Sequence, residues 1–498
     1  MQHSVDTVAD ELLAGLASPP TGMLVGGHWR EGRAGRTFPV VNPATGEVIA
    51  AVADADVEDV ADVVNAAAAA FPQWSTTSPR QRAALLHDVF TAVQDRAEEF
   101  ALLITLEMGK PLAESRAEVS YAADFLRWYA EEAVRITGTF RMAPDGAARQ
   151  VTLRQPVGPC LFVTPWNFPL AMITRKVAPA LAAGCTVVLK PAEETPLSAL
   201  LFAQVLSEAG LPAGVVNLLN TTRPGPLVEA ILNDQRIRKL SFTGSTEVGR
   251  KLMALAAPGV IRTSMELGGN APFIVFKDAD INAAVEGAVA AKLRNGGQSC
   301  VAANRFIIDE SIAPHFVDLL AQRLRAQIVG PGVDPTTTLG PMINRKQRNR
   351  AVELVDDAVA HGADPVVDNH SVGPADAFLR PILLDRVPPT AQIARQEIFA
   401  PIATVYRFAT ETEAISLANG TESGLVGYVY TRDLDRAVRA IESMQCGMVG
   451  VNRGYISDAS APFGGIKQSG LGREGSEAGI QEYLETKYAS INAVGGHP

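Results

Sequence analysis

The apolar positions of the chain change their spacing along its length. Between Val57 and Thr137 they recur with helical periodicity, and Asp56 is placed to cap the first helix. From Cys160 onward, short apolar runs alternate with helical stretches at intervals of about 20 to 30 residues, which is typical of βαβ units. The predicted strands are Cys160–Thr164, Cys185–Leu189, Val215–Leu219, Lys239–Phe242 and Ile261–Glu266.

This alternation predicts an α/β fold with a doubly wound parallel sheet, and any cofactor is expected at the carboxyl edge of that sheet. One of its helices is expected to have Thr195 as N-cap and Pro196 as first residue, and to end at Gly210. A second α/β alternation starts near Asn270 and runs to Met448–Val451. Its first elements are predicted as helix Asn282–Arg294, strand Arg305–Ile308 and helix Ile312–Gln327.

Short β segments are expected outside these two alternations. A hairpin is predicted around Gly26-Gly27-His28-Trp29. The alternating segments Arg149–Arg154 and Lys487–Asn492 are expected to pair as a protruding β flap. The edge of such a flap is suited to meeting another subunit.

Composition and charge restrict the class of protein. The chain has 498 residues, of which 47% are apolar and 20% charged. This is the composition of a soluble globular enzyme with two or three domains. The formal net charge of -10 argues against a nucleic-acid partner, because phosphate binding favours a basic surface.

The cysteines, the histidines and the N-terminal residues indicate the cellular compartment of the protein and whether it binds a metal ion. Four cysteines without a C-x-x-C pair predict a reducing compartment. The seven histidines are scattered without an H-E-x-x-H motif, so no metal site is expected. Residues Met1 to Ala17 lack the pattern of a secretory leader, and no apolar run reaches the roughly 18 residues of a membrane span. The cytoplasm is the expected location, with no membrane partner.

Three segments carry candidate chemistry. Cys300 lies in the glycine-rich stretch N-G-G-Q-S-C-V-A-A-N, where a thiol is easily exposed. Glu266 ends an apolar strand, where loss of water raises the pKa of a carboxyl group towards neutrality. Asn167 follows another strand and offers a side-chain amide. A nucleophile, a base and an oxyanion donor together indicate covalent catalysis on a carbonyl compound.

These stretches resemble motifs of the aldehyde dehydrogenase superfamily, and the resemblance extends from Val40 to Tyr488. Seven motifs occur in order with the spacing of that family. They are T-P-W-N-F-P at 164–169, L-K-P-A-E-E-T-P at 189–196, F-T-G-S-T-E-V-G at 242–249, M-E-L-G-G-N at 265–270, N-G-G-Q-S-C at 295–300, E-I-F-A-P at 397–401 and P-F-G-G-I-K-Q-S-G at 462–470.

The resemblance implies a role for each catalytic candidate. Cys300 would add to the aldehyde, and its thiohemiacetal would become a thioester after hydride loss. Glu266 would activate the water that hydrolyses the thioester. The amide of Asn167 would donate to the oxyanion, a contact worth about 3–4 kcal/mol of barrier. Lys176 resembles a family lysine near the proton path, and a plain salt bridge is the alternative reading.

The resemblance also implies an NAD(P) site, although no G-x-G-x-x-G follows the first strand of the sheet. Lys190 and Glu193 are expected to contact the adenosine ribose. The Glu193 carboxylate would repel a 2′-phosphate by about 4 kcal/mol at 4 Å with an effective dielectric constant of 20, so NAD is preferred and NADP remains open. The other expected cofactor contacts are Thr164, Pro165, Trp166, Gly244, Ser245, Leu267, Glu397 and Phe399.

The substrate contacts resemble those of succinate-semialdehyde dehydrogenases within this family. Arg175, Arg294 and Ser457 would hold a distal carboxylate, whose geometry matches the forked donors of guanidinium groups. Glutarate semialdehyde is a rival, because Asp458 would repel the carboxylate if it faced inward. Position 302 is alanine, so the redox-gating disulfide of some relatives cannot form.

Two further readings belong to other classes. One is a dinucleotide-binding scaffold that has lost turnover, and the other is a CoA-acylating relative, which the presence of Glu266 argues against. The implied domains are a dinucleotide-binding domain at 1–138 and 159–268, a catalytic domain at 269–480 and oligomerisation strands at 139–158 and 481–498. A homodimer or homotetramer is expected.

Overall fold

The computed structural model describes residues 19–368 and 377–492 of the chain. The segment Met1 to Ala17, in which no leader was recognised, lies outside the described residues. The last six residues of the predicted C-terminal flap segment also lie outside them.

The described helices follow the predicted alternation. They are α1 (Val57–Thr76), α2 (Pro79–Asp95), α3 (Ala97–Met108), α4 (Leu112–Ala133), α5 (Ala171–Ala183), α6 (Leu197–Glu208), α7 (Pro224–Leu232), α8 (Thr246–Ala256), α9 (Ile281–Leu293), α10 (Ala313–Arg325), α11 (Arg345–Ala360), α12 (Glu411–Asn419), α13 (Leu434–Ser443) and α14 (Ser476–Gln481).

The described strands form two large sheets and three smaller ones. They are β1 (Met23–Val25), β2 (His28–Arg30), β3 (Thr37–Val41), β4 (Val48–Ala53), β5 (Thr139–Met142), β6 (Ala148–Pro156), β7 (Cys160–Val163), β8 (Val187–Lys190), β9 (Val216–Leu218), β10 (Lys239–Thr243), β11 (Arg262–Glu266), β12 (Ala271–Val275), β13 (Ala303–Asp309), β14 (Asp364–Val367), β15 (Ile382–Asp385), β16 (Ile402–Phe408), β17 (Ser423–Gly424), β18 (Val426–Tyr430), β19 (Met448–Val451), β20 (Ile466–Lys467), β21 (Gly470–Leu471) and β22 (Leu484–Asn492).

The first sheet has eight strands in the order β2-β1-β9-β8-β7-β10-β11-β21. Its five central strands, β9, β8, β7, β10 and β11, are parallel. The order of these strands along the chain reverses between β7 and β10, which is the point where open α/β sheets bind ligands. The predicted doubly wound sheet is therefore confirmed, with each strand within about two residues of its expected position.

The second sheet has seven strands in the order β14-β15-β16-β13-β12-β18-β19. All of its neighbours pair in parallel except β14 with β15. Its central strands β12, β13 and β18 are buried on both faces and consist mainly of apolar residues, as expected for parallel strands covered by helices. The predicted second α/β unit is confirmed.

The flap segments also pair as predicted. Strand β22 runs antiparallel to β6 along its whole length, and β5 pairs with the other edge of β6. Near the other end of the chain, β1 and β2 form the expected hairpin. The short strand β21 returns to the first sheet, where Gly470 pairs with Glu266. This return fixes the end of β11 from a segment about 200 residues away.

Helix starts show where local sequence rules hold and where they fail. Asp56 caps α1 in a reciprocal capping box with Asp59, as predicted for Asp56. The prediction for α6 is wrong by one residue, since Pro196 is the N-cap and the Thr195 hydroxyl has no hydrogen-bond partner among the described residues. The buried Glu107 carboxylate of α3 instead accepts hydrogen bonds from the first backbone N–H groups of α6. A distant side chain thus replaces the local cap.

Within the described residues, every helix is too short or too polar to cross a membrane.

Candidate active site

A cavity of about 850 Å³ lies at the carboxyl ends of β7, β10 and β11, where loops from both large sheets meet. Most of the predicted site residues line it. They are Pro165, Trp166, Asn167, Arg175, Gly244, Ser245, Glu266, Leu267, Arg294, Cys300, Glu397, Phe399 and Ser457. Thr164, Lys176, Lys190 and Glu193 are not among the residues that line it.

The turn before Cys300 depends on left-handed backbone conformations. After α9, residues Asn295, Gly296 and Gly297 all have positive φ values, of 54°, 61° and 73°. A Cβ atom at Gly297 would lie only 2.2 Å from the carbonyl oxygen of Ala400. Glycine is therefore required at this position both for its φ and for the close approach of the chain. The turn delivers the half-buried Cys300 to the cavity.

The Cys300 thiol is protonated at neutral pH in this state of the protein. Burial raises its pKa to about 12, and the nearby carboxyl groups of Glu397 and Glu266 act in the same direction. The Arg175 guanidinium opposes them by favouring the thiolate. Since the thiolate is the nucleophilic form, the site needs a base or added positive charge before it reacts.

Glu266 supplies a carboxyl group without competing protein partners. It is the last residue of β11, it is 3% exposed, and neither of its carboxyl oxygens has a hydrogen-bond partner within the described residues. Burial raises its pKa well above the usual value, and the Glu474 carboxylate adds to the shift. A Cβ atom at Gly464 would lie 2.9 Å from Oε1, so this glycine leaves the room that the carboxyl group occupies.

Asn167 is held against the nucleophile loop. Its side-chain amide donates from Nδ2 to the carbonyl oxygen of Gln298, over 3.0 Å. Its own main-chain carbonyl accepts from Lys110 Nζ at 2.8 Å and from Asn295 Nδ2 at 2.9 Å. One amide hydrogen of Asn167 remains for an oxyanion, since an amide NH₂ group carries two donors.

Lys176 and Arg175 share one buried carboxylate that the sequence reasoning did not single out. Lys176 Nζ donates to Glu474 and, over 2.9 Å, to the hydroxyl of Ser241. Arg175 donates from Nε to the other oxygen of Glu474. Lys176 thus makes the salt bridge that was its alternative reading. Glu474 follows the motif at 462–470 by four residues, but no sequence signal joins positions about 300 residues apart.

The expected substrate end of the cavity carries two guanidinium groups. Arg294 lies between the rings of Phe168 and Tyr455, each centroid 4.7 Å away, with Nη1 at 3.5 Å from the Ser457 hydroxyl. Arg175 is 1% exposed, and its Nη2 has no hydrogen-bond partner among the described residues. A buried cation with a free donor is suited to an anionic ligand group.

Two residues near the expected substrate end of the cavity add to or change what the sequence predicted. Tyr121 lines the cavity, and its buried hydroxyl has no hydrogen-bond partner within the described part of the chain. No sequence motif pointed to this residue. Asp458 is exposed, and its carboxylate accepts from Ser460 instead of facing the cavity. The repulsion that an inward Asp458 would cause is therefore absent from this conformation.

Another part of the cavity brings Glu397 and Phe399 together with the M-E-L-G-G-N motif at 265–270. Glu397 Oε1 accepts a hydrogen bond from the N–H of Gly269 at 3.2 Å. A Cβ atom at Gly268 would lie 2.6 Å from Glu397 Oε2, so the paired glycines allow the carboxyl group to approach. The Phe399 ring packs perpendicular to Trp166 with centroids 5.5 Å apart, and its φ of 53° is rare for a bulky residue.

The N-terminus of α8 opens at the same end. Ser245 caps the helix by accepting from the N–H of Val248, and Thr246 and Glu247 line the cavity. A Cβ atom at Gly249 would lie 2.4 Å from Leu267, so the helix packs tightly against the strand end. Free N–H groups and the positive end of the helix dipole suit a pyrophosphate. The donors at this end therefore fit a dinucleotide.

Lys190, the last residue of β8, forms an ion pair with Glu193, with 3.1 Å between Nζ and Oε2. The Glu193 side chain is 40% exposed and Lys190 is buried.

Among residues 19–368 and 377–492, no group of three or more His, Cys, Asp or Glu side chains is arranged to hold a metal ion.

The raised pKa of Cys300 predicts how the unliganded protein reacts with iodoacetamide. Below the pKa of the thiol, the thiolate fraction, and hence the alkylation rate, rises about tenfold per pH unit. Mass spectrometry of the Cys300 peptide from about pH 7 to 9 should show this rise without a plateau. Glutathione, whose thiol has an ordinary pKa of about 8.5, is the control whose rise falls below tenfold per unit as the pH approaches 9. A Cys300 rate that is already constant at neutral pH would mean a resting thiolate.

Comparison with known proteins agrees with the arrangement of the cavity. The aldehyde dehydrogenase family model matches residues 29–489. A succinate-semialdehyde dehydrogenase of Paenarthrobacter nicotinovorans is 53% identical over 89% of this chain and 99% of that protein. A glutarate-semialdehyde dehydrogenase of Pseudomonas putida is 45% identical over 94% of this chain and 97% of that protein.

A solved structure shares the whole fold. It is described as an NADP-dependent enzyme of E. coli, is 44% identical, covers 95% of this chain and 98% of its own, and superimposes with a TM-score of 0.94. The family model and these relatives span both large sheets and the loops that form the cavity. The chain therefore belongs to the aldehyde dehydrogenase family, whose members oxidise aldehydes with NAD or NADP.

Proposed function

We propose that this enzyme oxidises succinate semialdehyde to succinate. The observation that carries the proposal is the pair of guanidinium groups, Arg175 and Arg294, in the same cavity as Cys300. Arg175 has a free buried donor, and Arg294 has the Ser457 hydroxyl within reach. A short aldehyde with a distal carboxylate matches these groups at one end and the thiol at the other.

The first chemical step is addition of Cys300 to the aldehyde carbon. Glu266 takes the thiol proton, the sulfur–carbon bond forms, and the carbonyl oxygen becomes an oxyanion. The second amide hydrogen of Asn167 and the backbone N–H of Cys300 donate to this oxygen. A low-dielectric cavity makes such donors effective because they need no reorganisation when the charge develops.

The later steps convert the adduct into the acid. When bound, NAD(P) would supply the hydride acceptor, and loss of hydride from the adduct would leave a thioester on Cys300. Glu266 first passes the thiol proton to solvent and then removes a proton from water, whose oxygen attacks the thioester carbon. Collapse of this adduct breaks the carbon–sulfur bond, Glu266 returns a proton to the sulfur, and the carboxylic acid and the thiol are released. The raised pKa of Glu266 suits a base that works at neutral to alkaline pH.

The residues at the other end support binding of the dinucleotide. The α8 N-terminus, with Gly244 and Ser245, would hold the pyrophosphate. Glu397 and Phe399 would hold the nicotinamide ribose and ring, with Trp166 and Leu267 beside them. Thr164 and Pro165 would shape the entrance from β7. Together these contacts would fix the ring against the substrate carbon.

NAD is the preferred cofactor in this proposal. Glu193 is exposed enough to accept from ribose hydroxyls and would repel a 2′-phosphate. Its ion pair with Lys190 weakens this preference for NAD over NADP, since a 2′-phosphate could replace the Glu193 carboxylate as the partner of Lys190. The E. coli structure described as NADP-dependent shows that such use occurs within this family.

Glutarate semialdehyde is the second candidate substrate. The 45% identity to the Pseudomonas putida enzyme favours it, and one added methylene changes binding in a pocket by only about 1–3 kcal/mol.

We further propose a cytoplasmic homo-oligomer, a dimer or tetramer. The three-stranded flap supports this, because Phe140 and Tyr488 expose apolar surface on it.

The substrate proposal predicts the outcome of an aldehyde screen with NAD and NADP in parallel. Succinate semialdehyde should give the highest kcat/KM, and Cys300→Ala should abolish NADH formation because no thioester can form. Nucleotide binding by Cys300→Ala, measured by tryptophan fluorescence, is the control for folding. A clear preference for acetaldehyde or benzaldehyde would overturn the substrate assignment. An absolute requirement for CoA would replace hydrolysis by acyl transfer.

The arginine pair predicts a charge-selective loss. Arg294→Ala should raise KM for succinate semialdehyde about 10- to 100-fold, because a charge-assisted hydrogen bond of roughly 1.5–3 kcal/mol disappears. KM for the uncharged butyraldehyde should change little. Arg175→Ala should show the same split, with an added loss of stability because Glu474 loses a partner. Equal losses on both aldehydes would assign the arginines to structure.

A further inference from the structure

A buried ion pair joins the turn between α3 and α4 to α4 itself. Lys110 and Glu118 are 2% and 1% exposed, and their Nζ and Oε2 atoms are 2.5 Å apart. Neither residue lines the cavity. Burying two charges costs several kcal/mol unless their remaining donors and acceptors are also satisfied, so the partners of this pair are informative.

The Lys110 ammonium group joins α4 to the loop that carries Asn167. One hydrogen bond goes to Glu118, and a second goes to the main-chain oxygen of Asn167 at 2.8 Å. The ring of Phe168, the next residue, lies with its centroid 3.9 Å from Nζ. Lys110 thus holds the peptide on which the oxyanion-donating amide is mounted.

Glu118 fixes the far side of the same loop. Its Oε1 accepts from the backbone N–H groups of Leu170 and Ala171, at 3.0 and 3.3 Å. These N–H groups belong to the start of α5, the helix on which Arg175 lies. The carboxylate therefore joins the lysine, the end of the Asn167 loop and the substrate helix.

One turn earlier on α4, Glu114 holds the other loop. Its Oε2 accepts from the N–H of Asn295 at 2.7 Å. The Asn295 side chain in turn donates to the carbonyl oxygens of Asn167 and Gln298, at 2.9 and 3.0 Å. The Lys110 and Asn295 side chains consequently meet on one acceptor, the carbonyl oxygen of Asn167.

The backbone of Lys110 is itself fixed by the second half of the chain. A Cβ atom at Gly332 would lie 2.3 Å from the Lys110 carbonyl oxygen, and one at Gly340 would lie 2.0 Å from that of Gly109. Gly109 has a φ of 96° and ends α3. The lysine therefore projects from a turn that has little freedom to follow the Asn167 loop if that loop moves.

We infer that Lys110, braced by Glu118, is a positioning residue that sets the orientation of the Asn167 amide towards the oxyanion. The inference rests on the proposed role of Asn167. It follows because Lys110 touches the main chain of Asn167 and the ring of Phe168 but does not line the cavity, so its effect on the reaction passes through this loop. Residues that hold a reacting group in place affect the rate although they never touch substrate.

The test is a double-mutant cycle between Lys110→Met and Asn167→Ala, read as the single-turnover rate of NADH formation at saturating succinate semialdehyde and NAD. Asn167→Ala should slow this rate about 100- to 1000-fold. Lys110→Met should slow it up to about 100-fold, as expected for a displaced donor. The double variant should be no slower than Asn167→Ala alone, because both changes remove one effect.

A matched control separates positioning from the general cost of removing a buried lysine. Lys239 is 0% exposed, donates to Ser264 at 2.6 Å and touches neither loop. Lys239→Met should keep the single-turnover rate within about twofold of wild type. NAD affinity, measured by tryptophan fluorescence, should be unchanged in Lys110→Met. If Lys110→Met does not fold, Glu118→Gln takes its place in the cycle.

Each outcome bears on a different statement. Multiplying losses in the double variant, or a loss in Lys239→Met equal to that in Lys110→Met, would overturn the positioning role. A wild-type rate in Lys110→Met with a slow Asn167→Ala would also overturn it, while the oxyanion role of Asn167 stands. A wild-type rate in Asn167→Ala would instead remove the proposed role of the amide.

Discussion

The carbonyl oxygen of Asn167 is the point on which the geometry of the site depends. The proposed nucleophile, Cys300, and the proposed oxyanion donor, Asn167, come from loops about 130 residues apart in the chain, so no local sequence rule can align them. Hydrogen bonds from Lys110 and Asn295 converge on this oxygen, and the Asn167 amide reaches back to Gln298. The two loops can then act as one rigid unit, which is what stabilisation of a developing charge requires.

Electrostatic balance is the second constraint on the cavity. A thiol and a carboxyl group lie together away from water, and burial raises the pKa of both. Arg175 and Lys176 oppose this shift, but Glu474 pairs with both of them and limits their influence. Burial thus disfavours the charged form of both groups, and this limits the reactivity of the thiol.

The sequence predicted the parts that depend on local pattern. Strand periodicity placed the parallel sheet, and the motifs placed Cys300, Glu266 and Asn167 at strand ends and turns, which the structure brings to one cavity. The prediction from sequence was wrong or incomplete where a side chain far along the chain serves as the hydrogen-bond or ion-pair partner. Glu107 caps α6 in place of Thr195, and Glu474 pairs with Lys176 from about 300 residues away. Such partners are fixed by tertiary packing, for which a single sequence carries no periodic signal.

The central claim is a thioester on Cys300 that Glu266 helps to hydrolyse. The most direct measurement is intact-protein and peptide mass spectrometry of Glu266→Gln, quenched with acid after mixing with NAD and succinate semialdehyde. The account predicts one succinyl group on Cys300 and a burst of NADH without sustained turnover, because addition and hydride loss precede the hydrolysis that fails. Turnover at the wild-type rate without an adduct, or an adduct on a different residue, would contradict it.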